Sequence, residues 1–395
     1  MKVVYINTLF HPVVIGGAEK SLKNLILSLV KHHSIDPVVI TINPENKDVI
    51  EYVEGIKVYR LAYRNNRFIF SDKGNALQKA LWHMKDKNNE EFTPVFHKIL
   101  SDEAPDLLHT NNLLGFSAVP ISVANSMNIP VVHTIRDYYF QCWRSSRYGK
   151  NGDCGNICSS CRWLSKDRRV LSNSVGAVVG NSQFILNDHV IDGVFSEVRI
   201  QKSIYNIFEA GSEVRAKSSI SEGKIRLGFL GRLHHTKGIR ELLELVLNNE
   251  GIELFIAGDG EECEAVLRAC EVTDRIHYLG YVAPAELFSQ IDLLVIPSLW
   301  REPLPRTAYE AYSYGIPVIG SNAGGTSEVI MNGKTGFVFP CDDFGAILSY
   351  IDTIISTKGL YQEMSENCIE YSQQFSPLII SSKYHETYLQ VLEDE

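Results

Sequence analysis

The chain of 395 residues is 45% hydrophobic and 22% charged, more than one hydrophobic core ordinarily serves, so two domains of roughly 200 residues each are expected. No run of eighteen apolar residues occurs, and the N-terminus MKVVYINTLF enters a strand pattern without the signature of a signal peptide, so the expectation is a cytoplasmic protein with no spanning helix. The formal net charge of −9 is unevenly shared, with 24 Lys+Arg against 19 Asp+Glu over residues 1–205 and 14 against 28 over 206–395; a basic first half predicts an anionic partner there, and without a helix-turn-helix, RNP or finger pattern that partner is not a nucleic acid.

Both halves alternate short apolar runs with helical patterns, which predicts parallel sheets covered on both faces. In the first half KVVYINTL, DPVVITIN, IKVYRLAY, DLLHTNN, PVVHTIRD and GAVVGNS read as strands, with helices near residues 18–32, 116–127 and 183–190. The loop after the first strand carries His11, Pro12, Gly16, Gly17, Ala18 and Glu19. Paired glycines ahead of a helix let backbone approach a phosphate or a sugar closely, although alone such a pair is more often a turn or a cap. His109 and Asn111 end one strand, and Arg136 and Asp137 end the next, at the carboxyl edge where open α/β sheets bind ligands. His133, three residues before Arg136, points to the opposite face of its strand and toward the core.

Cys142, Cys154, Cys158 and Cys161 follow as C-x11-C-x3-C-x2-C in a loop rich in Gly, Asn and Ser. Thiols at this spacing in a cytosolic chain predict a tetrahedral metal site, zinc first, that staples a loop too polar to build its own core; free or disulfide-forming thiols and an iron–sulfur cluster are the alternatives. Cys263, Cys270, Cys341 and Cys368 are scattered and read as small core residues. Basic and aromatic residues interleave in RLAYRNNRFIF and again at Arg144, Arg147, Arg162, Trp163, Lys166, Arg168 and Arg169. Either they rest on an anionic membrane surface, or they are solvated loop charges beside buried aromatics.

The polar stretch 209–223 has the composition of a linker, and KIRLGFLGR then opens a second series of strands continued by IELFIAG, RIHYLGY, DLLVIPS, PVIGSN and TGFVF. Gly231, Arg232, Lys237 and Gly238 occupy the turn between the first of these strands and its helix. There Arg can fork to one phosphate while Lys acts as a point charge on its neighbour. Gly258 and Tyr281 end the next two strands and by position line a nucleotide pocket. Further on, LWREPLPRTAYEAYSYGIPVI sets Glu302 and Glu310 eight residues apart, the first in a loop leaving a strand and the second inside a helix over 307–314 that Gly315 and Pro317 end. The amides of Thr307, Ala308 and Tyr309 at that helix start can receive an anion. Hydroxyl acceptors on both sides of an anion site suit a ligand with sugar hydroxyls at either end of a diphosphate, which is a nucleotide sugar.

These motifs resemble those of the retaining glycosyltransferases of GT-B architecture, in particular family four, whose signature runs roughly E-P-F-G-x4-E-A-x-A-x-G-x-P-V. Here it stands as Glu302, Pro303, Leu304, Pro305, Glu310, Ala311, Gly315, Pro317 and Val318, with G-R-x4-K-G at 231–238. The resemblance implies an α/β fold of two Rossmann-like doubly wound parallel-sheet domains facing across a cleft. Residues 1–207 would be the acceptor side with a cysteine-rich insertion at 142–161, 208–375 the nucleotide-sugar domain, and 376–395 a tail helix crossing back to the first domain. It implies Glu302 on the donor sugar hydroxyls, Glu310 on the ribose, Arg232 and Lys237 on the diphosphate, and Gly17 closing the donor site, with Leu304, Pro305, Arg306 and Thr307 beside the donor.

Two positions depart from the family. Pro305 replaces a glycine and removes a backbone N–H. Arg136 stands where relatives carry a histidine; it stays protonated, so it stabilises negative charge on donor or acceptor and does not act as a base. His109, Asn111, His133 and Asp137 are the remaining candidates, either at the acceptor or behind the residues that meet it. A subset of the family carries similar cysteines. The sequence holds no D-x-D triplet, which predicts metal-independent transfer with no cofactor for catalysis. The implied function is retaining transfer of a hexosyl group from a nucleotide-diphosphate donor to a glycan or lipid-linked acceptor in polysaccharide or glycoconjugate synthesis, in the cytoplasm or at the inner face of the cell membrane. A non-catalytic nucleotide-sugar-binding partner and an epimerase or phosphorylase on the same fold are the alternatives.

Overall fold

The computed structural model of the chain describes residues 1–70, 75–149, 152–208, 219–220 and 224–394; apart from 219–220, the expected linker at 209–223 lies outside them. The chain forms two units, the first of Met1–Gly149, Cys154–Ile207 and Pro377–Glu395, the second of Lys150–Asp153 and Phe208–Ser376.

In the first unit β1 (Lys2–Ile6), β2 (Asp36–Asn43), β3 (Val49–Val53), β4 (Ile56–Ala62), β5 (Leu107–Thr110), β6 (Val131–Ile135), β7 (Ala177–Gly180) and β8 (Ile200–Ser203) form one sheet in the order β8-β7-β6-β5-β1-β2-β4-β3. Every pairing is parallel except β3 with β4. Strands β5, β6 and β7 are buried along their whole length, as continuous apolar runs between two helical layers must be. Neither β3 nor β8 is legible as a strand in the sequence. On β3, Ile50 and Tyr52 face solvent, so its alternation carries no buried face, and IQKS in β8 is largely polar.

The helix Gly17–His33 spaces Leu22, Leu25, Ile26 and Leu29 by three and four residues and buries all of them, the stripe that seats a helix on a sheet. Its start is closed by the Glu19 carboxylate, which accepts the Gly16 N–H at 2.9 Å. The C-terminal helix Pro377–Glu393 packs beside it, placing Ile380, Tyr384, Tyr388 and Val391 in the core of the first unit. Ser28 donates from Oγ to the Pro377 carbonyl at 2.8 Å. Close approach is possible because residue 176 is glycine: a Cβ there would stand 2.8 Å from Val391 Cγ1.

In the second unit β9 (Ile225–Leu230), β10 (Ile252–Ala257), β11 (Ile276–Gly280), β12 (Leu293–Ile296), β13 (Val318–Ser321) and β14 (Gly336–Phe339) pair in parallel in the order β11-β10-β9-β12-β13-β14. That order turns back on itself between β9 and β12, the point at which doubly wound sheets bind ligands outside the carboxyl ends of their strands. The helix after β12 runs from Arg306 to Tyr312, shorter than the expected 307–314 at its far end. The Tyr314 and Gly315 amides bond back only three residues, to Ala311 and Tyr312, and Gly315 takes a φ of 64°, so the last turn tightens and stops. Among the described residues no helix is long and apolar enough to cross a membrane.

Candidate active site

Three loops of the second unit meet where its sheet reverses. Gly238, after β9, has a φ of 69°, and a Cβ on it would fall 1.9 Å from the Pro297 carbonyl oxygen. Only glycine lets this turn press backbone to backbone against the loop leaving β12, where Leu299 N–H donates to the Thr236 carbonyl at 2.8 Å. The third loop follows β13. A Cβ on Gly324, φ 67°, would lie 2.4 Å from the Glu302 carbonyl oxygen, which accepts the Gly325 N–H at 2.7 Å.

Glu302 sits at this junction and is 7% exposed. Its Oε2 accepts from Lys237 Nζ at 2.5 Å, Trp300 Nε1 at 2.8 Å and Ser298 Oγ at 3.1 Å. All three donors converge on that one oxygen, and Oε1 accepts no hydrogen bond from a described residue. The carboxylate is thus fixed in direction with one acceptor left over. Lys237, expected on a diphosphate, pairs with Glu302 and stands 5.3 Å from the Trp300 ring centroid. Glu310, buried one helical turn on, accepts from Arg306 Nε at 3.2 Å and Nη2 at 3.1 Å through Oε1. Arg232 is exposed on the loop it shares with Lys237.

The other residues expected near the donor fall as follows. Leu304 and Pro305 are buried, Pro305 immediately preceding the helix of Arg306 and Thr307. Gly231 and Gly258 hold the ends of β9 and β10 together, since a Cβ on Gly258 would lie 1.8 Å from the Gly231 carbonyl oxygen. Tyr281 is 81% exposed. Trp300, Ser298 and the Gly324–Gly325 pair escaped the sequence reading. A double glycine two residues beyond the end of a strand was the available signal for the last of these.

In the first unit Gly17 opens its helix. Arg136 donates from Nε to Asn111 Oδ1 at 2.9 Å and from Nη1 to Asn206 Oδ1. Asp137 accepts the Tyr139 N–H at 2.9 Å, and burial pushes its carboxyl up to about 6. His109, a candidate either at the acceptor or behind the residues that meet it, pairs Nδ1 with the Tyr388 hydroxyl at 2.7 Å and Nε2 with Thr134 Oγ1 at 2.8 Å. Both ring nitrogens are taken, and burial holds the ring neutral, well below the usual histidine range. It is a core residue under the C-terminal helix. His133 faces the core as its strand register predicts, bonded to Thr110 Oγ1 at 2.8 Å and stacked on Phe195. Of the four clustered cysteines, Cys142 and Cys161 bring their sulfurs to 3.5 Å, close to the separation of two thiolates on one tetrahedral ion. The full set does not converge: Cys158 is exposed and bonds Ser160 Oγ at 3.3 Å, and among the described residues the four form no group within mutual ligand distance.

Two doubly wound units, one of them with a buried, oriented glutamate at the reversal of its sheet, define the GT-B class of fold. Residues 212–375 match the family described as Glycosyl transferases group 1. An uncharacterized 42.6 kDa protein in the cps region of Klebsiella pneumoniae is 33% identical over 332 residues, 83% of this chain and 87% of that protein. Among solved structures, sucrose-phosphate synthase (tll1590) from Thermosynechococcus elongatus has a TM-score of 0.78 at 18% identity over 100% of both chains. Anabaena Alr3699/HepE in complex with UDP and glucose has a TM-score of 0.69 at 20% identity, covering 98% of this chain and 99% of that one. The chain belongs to the group 1 glycosyltransferases.

Proposed function

We propose that the chain is a retaining, metal-independent hexosyltransferase that moves a sugar from a nucleotide-diphosphate donor to a glycan or lipid-linked acceptor in polysaccharide or glycoconjugate synthesis. The observation that carries this reading is Glu302, whose Oε2 is saturated by Lys237, Trp300 and Ser298 while Oε1 remains to accept a donor-sugar hydroxyl. Glu310 takes the ribose and the exposed Arg232 the diphosphate, with Lys237 adding positive charge between them. The relative in a cps region and the HepE complex with UDP and glucose support a nucleotide-sugar donor and a polysaccharide setting. In the transfer, the anomeric carbon–oxygen bond to the diphosphate breaks and the acceptor hydroxyl oxygen bonds the same face of the sugar. Its proton passes to the leaving phosphate oxygen, so no protein base is needed. Arg136 stabilises negative charge on donor or acceptor.

A thermal-shift screen against a panel of nucleotide sugars identifies the donor, because a ligand of the native state raises apparent stability. Turnover of that donor, abolished in Glu302→Ala, supports transfer; donor binding with no turnover on any acceptor replaces the reading with a binding module. Chelation leaves activity intact, and loss restored by Mg²⁺ or Mn²⁺ would sink metal independence. Structural zinc at Cys142, Cys154, Cys158 and Cys161 is supported only by the Cys142–Cys161 pair, and elemental analysis of the purified chain decides it. An anionic membrane as acceptor surface is supported by exposed Trp163 beside Arg162 and Lys166. Liposome flotation that does not depend on anionic lipid removes it.

A further inference from the structure

His234 and His235, between Arg232 and Lys237 on the loop after β9, face Glu261 on the loop after β10. His235 Nδ1 stands 2.8 Å and His234 Nε2 3.3 Å from the same oxygen, Glu261 Oε1. Among the described residues this is the only group of three His, Cys, Asp or Glu side chains whose ligand atoms all lie within 4.8 Å of one another. We propose that His234, His235 and Glu261 bind a divalent d-block cation of the zinc or nickel kind, which clips the two loops together.

The loops that carry the three side chains are already fixed to each other. Leu233 N–H donates to the Asp259 carbonyl at 2.8 Å, and Glu262 N–H to the Leu233 carbonyl at 2.9 Å. A Cβ on Gly260 would fall 2.3 Å from the Leu233 carbonyl oxygen, so the backbones touch and hold the three side chains near one another. His234 Nδ1 also pairs with Thr236 Oγ1 at 2.8 Å. Nδ1 also accepts the Thr236 backbone N–H at 3.2 Å, so the ring is held with Nε2 toward Glu261, and a cation bound there takes the place of the proton between Nε2 and the carboxylate. Two imidazoles and one carboxylate select d-block ions over Mg²⁺ or Ca²⁺, which take oxygen ligands. Arg232 and Lys237 on the same loop oppose a cation, and Glu261 offsets part of their charge. None of the three side chains is among the donors that orient Glu302, and the site does not depend on the proposed transfer.

The test uses the full chain stripped with a chelator and titrated with Ni²⁺ alone, an ion that favours imidazole over the soft thiolates of the cysteine loop. His235 and Glu261 keep 52% and 54% of their side-chain surface exposed, so H235A and E261A leave the fold intact, and equal melting temperatures without metal verify it. The wild type is expected to bind one Ni²⁺ with a rise in melting temperature, and each variant to lose at least about tenfold in affinity. No binding by the wild type, or equal binding by H235A and E261A, overturns the site.

Discussion

Trp300 shows what one residue adds at the junction. Its indole N–H serves the same Glu302 oxygen as Lys237 and Ser298, so the carboxylate cannot rotate without breaking a charge-assisted bond. Such a bond contributes about 1.5–3 kcal/mol. Trp300→Phe keeps an aromatic ring near Lys237 and removes the N–H, and kcat/KM for the donor is expected to fall by about 10–100-fold; an unchanged value would show that Lys237 and Ser298 suffice. Glu302 and Lys237 were legible because each stands in an ordered motif. Trp300 was not, because only the packing of three loops aims its ring. His133 carries a second residue-scale prediction. Burial, then the charges of His189 and Arg136, lowers its pKa to about 3, while the unfolded ring titrates near 6.5. The folded pKa is depressed, so the unfolded chain takes the proton first and stability is lost as pH falls from about 6.5 toward 3. Asp137 and Asp86, pushed up by burial to about 6 and about 7, pull the other way, so the comparison must be with a variant. In urea unfolding from pH 7.5 to 5, His133→Phe should remove a slope of about 1.4 kcal/mol per pH unit below 6.5. A variant with the wild-type slope would mean that His133 titrates in the fold.

At the scale of elements, the twelve apolar runs read as strands all form strands, because parallel strands between two helical layers must be apolar throughout. Two of those that escaped, Val49–Val53 and Ile200–Ser203, lie at the two edges of the first sheet, where one side of the strand has no neighbour and the burial pattern fades. The seating of the C-terminal helix depends on Gly176, where a side chain would meet Val391. Gly176→Ala is expected to cost about 1–3 kcal/mol by overpacking, and Val391→Ala in the same chain to recover part of it through negative coupling in a double-mutant cycle. Strict additivity of the two changes would show that the helix adjusts elsewhere.

At the scale of the molecule, the last helix completes a core begun by the first strand. Ile380, Tyr384, Tyr388 and Val391 bury completely or nearly so in the first unit, and at about 1.5–3 kcal/mol for each large apolar side chain their joint contribution matches the roughly 5–15 kcal/mol by which a domain is stable. A chain ending after Phe375 should therefore lose cooperative unfolding of the first unit, read by tryptophan fluorescence and limited proteolysis. A truncated chain with that transition intact would assign the helix a lesser role.

The sequence by itself determined the two doubly wound domains and the glutamates, because hydrophobic periodicity and motif order are local properties of a chain. The tertiary structure decided which oxygen of Glu302 remains to accept, that His109 belongs to the core, and that two histidines and a glutamate from separate loops converge. Each of these depends on the direction a side chain takes once glycines let loops from different strands touch, and no spacing along the chain records that direction.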